Sequence, residues 1–160
     1  MQDIITQVTR SDIYKQWATQ DSFLVYVMCT YVNNTYEGWH VGFSKGTDVV
    51  DFVVHPQVAL QEQGEPMHQQ QVYPVCVEDT VPISVIITAV KEFAQTQYSN
   101  HPLSRMFCIY HIVDGQPSWD VTAISMTLKT IHFRLDKDAT VIKDQVIDLF
   151  KFDKGFNSGQ

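Results

Sequence analysis

The chain has 160 residues, 44% of them apolar, and 18 Asp and Glu against 11 Lys and Arg give a net charge of -7. That length suits one domain or two small ones of similar kind, and it buries roughly two-thirds of the unfolded surface, so no metal or disulfide staple is needed. Basic residues scattered singly over an acidic chain exclude nucleic acid as a partner, because neutralising phosphates takes clustered Lys and Arg.

The chain opens "MQDIITQVTRSDIYKQW". It has no basic start and no unbroken apolar segment, so no signal peptide is expected. No stretch is apolar for about 18 residues, so no membrane span or membrane partner is expected. A cytoplasmic location follows, or an exported one if a leader has been removed. Within this stretch Ile4, Ile5 and Val8, then Ile13, Tyr14 and Trp17, recur at helical spacing and are expected to face a sheet. A break is expected near Ser11.

"SFLVYVMCTYV" then reads as a strand, "NNTYEG" as a turn, and Trp39 as the start of the strand "WHVGFSKG". "VVDFVVHPQVAL" continues the β-rich run. The segment "QEQGEPMHQQQVYPV" is polar, carries Gly64 and Pro66, and has the composition of a linker.

"EDTVPISVIITAVKEFAQTQY" is the best helix in the chain. Asp79 or Thr80 supplies a cap, Pro82 sits early, and Ile83, Ile86, Ile87, Val90, Phe93 and Ala94 form one apolar stripe. Asn100-His101-Pro102 stops it, because a residue before proline avoids helical dihedrals. "RMFCIYHIV" is a strand and "DGQPS" a turn. From 118 to 144 the chain contains no Pro and no Gly. It divides into strands, with a break near 126–129. From Lys129 to Asp136, Ile131, Phe133 and Leu135 alternate with Thr130, His132 and Arg134, as on a strand with one buried face. "DKDA" is a tight turn, and "TVIKDQVI" returns as a further strand. The tail carries Leu149, Phe150, Phe152 and Phe156, and disorder is expected over 157–160.

The two halves follow one order, with Trp39 answered by Trp119 (119 − 39 = 80) and Phe52 by Phe133 (133 − 52 = 81). The expected fold class is α+β: tandem units, each a helix packed on an antiparallel sheet of three to four strands. The first unit takes 1–66, the connector 67–78, the second unit 79–156 and the tail 157–160, with a core that the two units either share or divide.

The second half resembles the PepSY-like, cystatin-like domain family. The residues that carry the likeness are the helix over 83–98, "FCIYHI", the Trp-started "WDVT", and "IHFRLDKDATVI", within a span of 80–152. The family's usual Thr-Gly in the last turn is replaced by Ala139-Thr140. The resemblance implies a non-catalytic domain, of a kind linked to inhibiting or escorting peptidases, or to partners at cell surfaces.

Motifs for chemistry are sparse. Cys29, Cys76 and Cys108 are odd in number and each lies in an apolar run, which points to buried inert thiols. The six histidines lack metal-ligand spacing, and His111 with His132 gives at most two ligands where a structural zinc wants four. Cys108 and His111 lie three apart on a strand and so on opposite faces. No Gly-x-Ser-x-Gly elbow or phosphate loop is present. No catalytic residue, metal or cofactor is therefore expected. Trp39 and Trp119 are core anchors or, alternatively, aromatic binding platforms. The expected function is non-enzymatic binding of a peptide or protein through a sheet face or edge, with His111, His132 and Arg134 as the candidate face and a homodimer as one form. The alternatives are a small hydrophobic-ligand binder with a pocket between helix and sheet, and a small hydrolase or isomerase.

Overall fold

The computed structural model describes residues 1–45, 48–61 and 72–148. Most of the expected connector, with Gly64, Pro66 and His68, and the tail from Leu149 onward lie outside the described residues.

α1 (Gln2–Arg10) and α2 (Asp12–Trp17) open the chain, and the break between them is Ser11. Ser11 has extended backbone angles, and its hydroxyl accepts from the Tyr14 N–H, so it caps α2 as it ends α1. Four strands follow: β1 (Phe23–Val32), β2 (Thr35–Lys45), β3 (Asp48–Val54) and β4 (Val58–Leu60). A 3-10 turn over Val77–Asp79 leads to α3 (Ile83–Gln97). Four more strands complete the described residues: β5 (Leu103–Val113), β6 (Gln116–Ser125), β7 (Lys129–Asp136) and β8 (Val141–Asp148).

All eight strands belong to one antiparallel sheet in the order β4-β3-β2-β1-β5-β6-β7-β8. This corrects the expected fold class. Half of the described residues are strand and 24% helix, so the protein is mainly β and is not a pair of α+β helix-on-sheet units. The physical reason is the seam. β1 and β5 pair from Val27↔Tyr110 to Val32↔Arg105, so each four-stranded meander covers the other's open edge with main-chain hydrogen bonds. The halves are also tied by side chains: Lys91 on α3 reaches Asn34 Oδ1 at 3.0 Å and lies over the Tyr31 ring.

The helices lie on one face of the sheet, where the core forms as two adjoining clusters. Val8 of α1 packs with Val27, Val41, Phe43 and Phe52. Ile86, Ile87, Val90 and Ala94 of α3 pack with Cys108, Tyr110, Trp119, Val121, Ile131, Phe133 and Leu135. Met1, Leu24, Trp39 and Val77 touch both clusters, so the core is continuous across the seam. Of the apolar residues expected to face the sheet, Ile13 does not: it is 38% exposed.

The turns are tighter than the composition of "NNTYEG" and "DGQPS" suggests. Only residues 33–34 and 114–115 leave the ladder, and all four have positive φ, as two-residue hairpin turns require. Trp39 and Trp119 therefore lie inside β2 and β6 rather than starting them. Gly38, with φ of 60°, is the additional residue of a bulge between the Cys29↔Trp39 and Thr30↔Glu37 pairs.

The cap of α3 is also corrected. Its N-cap is Pro82, with no side-chain cap. The Thr80 hydroxyl is spent elsewhere: it donates to Lys137 O at 3.0 Å and accepts from Trp119 Nε1 at 2.8 Å. The indole thus has its partner while its ring is fully buried. Cys29 and Cys108 are buried as expected, but Cys76 is exposed.

Candidate functional site

Strand alternation sends every second side chain of the sheet to the face away from the helices. Among the described residues no helix covers the seven long strands on that side, and the side chains there are mostly half-buried. Two polar clusters stand on it, one in each half, with Met28 and Ile109 paired at the seam between them.

The carboxyl-terminal cluster is centred on Asp120 of β6. Arg134, its register partner on β7, grips the carboxylate as a fork, Nε to Oδ1 at 2.7 Å and Nη2 to Oδ2 at 3.0 Å. His111 of β5 reaches the same Oδ2 with Nε2 at 3.0 Å. Burial by itself would raise the Asp120 pKa, but the hydrogen bonds from His111 and Arg134 outweigh it and hold the carboxyl down at about 2. The three side chains are all about 30% exposed, so the cluster is half sheltered and still open to solvent. One step along, His132 of β7 shares a 2.9 Å hydrogen bond through Nδ1 with Thr122 of β6. Asp120, Thr122, His132 and Arg134, with Lys143 and Gln145 of β8, line a shallow depression of about 270 Å³.

The structure thus places all three of the expected face residues, His111, His132 and Arg134, on one side of the sheet. His111 and Arg134 share Asp120. His111 and His132 are not on adjacent strands, because β6 runs between them. Cys108 points into the helix-covered core, away from His111. Among the described residues no group of three or more His, Cys, Asp or Glu could hold a metal ion.

The amino-terminal cluster has a different make-up and was not singled out in the sequence. His40 of β2 meets Asp51 of β3 through Nδ1 and Oδ2 at 2.6 Å. The hydrogen bond to Asp51 pushes the His40 pKa up, against the opposing effect of burial. Tyr26 of β1 lies in the same corner, and burial, then the Asp51 charge and hydrogen bond, push its phenol well up. Gly42 makes this possible. It lies between Tyr26 and Asp51 in the register, and a Cβ there would fall 2.2 Å from Tyr26 Cε1. The available signal was a glycine inside a strand pattern, which marks a close approach. Asp120 was missed for a related reason: a lone Asp in a strand shows its partners only once the register is known.

A second depression, of about 290 Å³, lies on the solvent side of α3 beside Val85 and Glu92. Neither depression lies between helix and sheet, where Ile86, Val90, Tyr110 and Trp119 are packed to 0% exposure.

A general base or nucleophile works best with a pKa near the operating pH. Asp120 is pushed far below neutrality and the Tyr26 phenol above it. The His40 pKa is pushed up by Asp51, and the depression on this face lies in the other half.

No family model matches the sequence, and no curated protein matches it. The fold is similar to a crystal structure from Clostridium difficile 630 that bears the name "putative lipoprotein": the TM-score is 0.61 over 91% of each chain, at 12% sequence identity. That likeness is one of fold alone. Among the described residues, no helix is long and apolar enough to cross a membrane.

Proposed function

We propose that the protein is a non-enzymatic binding protein that takes a peptide or protein partner on the uncovered face of its sheet, over the carboxyl-terminal half. The observation that carries this reading is the preset polar frame of Asp120, Arg134, His111 and His132 around an open depression, next to the apolar seam of Met28 and Ile109. Side chains already held in place by one another lose little freedom when a partner arrives, so the cost of ordering the surface is low. Mixed polar and apolar rows at a spacing of two residues match the side chains of an extended peptide laid along a strand. The likeness to a protein bearing a lipoprotein's name favours the exported of the two locations considered above.

Selection of a phage-displayed dodecapeptide library against the wild-type chain tests the reading. Enriched peptides are expected to lose at least about tenfold in affinity on the Ile109→Asp and His132→Asp variants, since a rim or core charge mismatch costs about 1.4 kcal/mol or more. Absence of any enriched peptide, or equal binding by folded variants, would overturn it.

A further inference from the structure

We propose that Cys29 and Cys108 form a cross-strand disulfide that joins β1 to β5, and with them the two halves of the sheet, when the chain folds in the presence of a disulfide oxidant. The proposal uses the core face at the seam and is independent of the binding face.

The two cysteines are register partners on the central strands. Both are buried at 0% exposure and both belong to the helix-covered core. Their pairing type follows from the hairpins. Val32↔Thr35 and Val113↔Gln116 close two-residue turns, so they are hydrogen-bonded pairs. Counting back along β1 and β5, the backbone groups of Cys29 face β5 and those of Cys108 face β1. Cys29↔Cys108 is therefore a hydrogen-bonded pair, whose Cα atoms stand about 5.5 Å apart, inside the disulfide range of about 4.4–6.8 Å. Hydrogen bonding to Cys29, then burial, push the Cys108 thiol far up.

Burial says when the bond forms. A thiolate is the attacking species, and neither cysteine is reachable by an oxidant in the finished core. The bond forms before β1 and β5 close. The Cys29 thiolate attacks an oxidant disulfide, breaking its S–S bond and releasing one thiol. Cys108 then displaces the second thiol and makes the Cys29–Cys108 bond. Two protons and two electrons leave the cysteine pair, and the oxidant departs as two thiols. Cβ atoms of a hydrogen-bonded pair must draw together to be bridged, so the bond is strained and opens under reductant once the chain is unfolded. Cys76, exposed and on another segment, stays free.

The test is oxidative refolding of the Cys76→Ser variant in oxidised glutathione, followed by alkylation in denaturant and intact-mass measurement. The expected product takes up no alkyl group, takes up two after reduction, and melts on the order of 5–15 °C above the reduced protein. A natively folded product that takes up two alkyl groups overturns the proposal. So does a wild-type chain, refolded in the same way, whose peptide map shows either core cysteine linked to Cys76.

Discussion

The two meanders place different pairs on the outward faces of their second and third strands. In the first, His40 on the second strand meets Asp51 on the third. In the second, Asp120 stands on the second strand and Arg134 on the third. The rows match: Tyr26, Gly42 and Asp51 lie in register across β1, β2 and β3, as Phe107, Thr122 and His132 do across β5, β6 and β7. Pleat and register fix where an outward side chain stands, while its chemistry is left free. The helix-covered sides differ in depth. The 15-residue α3 buries Trp119 completely, whereas the shorter, broken α1 and α2 leave Trp39 partly exposed against Tyr36.

The largest expected effect breaks the comparison at the tryptophans. Trp119→Ala removes a fully buried ring and takes the indole N–H donor from the Thr80 hydroxyl, for a loss of roughly 3–5 kcal/mol. A melting temperature lower by about 10 °C or more follows for a domain of this size. Trp39→Ala is expected to cost distinctly less, because that ring is only partly buried. Urea midpoints for the two variants check this, and equal losses would show that the two sides of the core are equally deep.

Next in size is Gly42. Gly42→Ala sets a Cβ against the Tyr26 ring and forces it off Asp51, at about 1–3 kcal/mol. Adding Tyr26→Ala removes the clash, so the double variant should be less destabilised than the sum of the two single ones. Strict additivity in a double-mutant cycle would mean that the ring and the glycine are not coupled. Thr122 holds the equivalent place in the other half with no such crowding.

Much of the fold was legible locally. The helix break at Ser11, the apolar stripe of α3, the alternation of β7 and the 126–129 break all express themselves through near neighbours in sequence. The fold class was not, because it rests on the Val27–Val32 ladder with β5, a pairing of residues some eighty positions apart that no local pattern encodes. The same holds for the sites. Alternation gave the shared direction of His132 and Arg134, and His111 was found with them. Asp120 and the Tyr26–His40–Asp51 corner depend on cross-strand register. The Thr80 cap failed because a tertiary partner, Trp119 Nε1, took the oxygen that local capping would use.

The smallest effect separates the halves by pH. His40 has its pKa raised in the fold, so its contribution to stability is fully present below the unfolded histidine value and is lost as pH rises through the folded one. Asp120 has its pKa lowered to about 2, so its contribution is present above the unfolded carboxyl value and is lost as pH falls through about 2. The amino-terminal cluster therefore loosens as pH rises past the unfolded histidine value and the carboxyl-terminal one only in strong acid. His40→Gln should flatten the decline in urea midpoint from pH 6 to 8, and Asp120→Asn should flatten the acid limb below pH 4, each without altering the other limb. Crossed or identical responses would mean that the two clusters titrate as one system through the seam, and that the contrast between the halves ends at the Met28–Ile109 boundary.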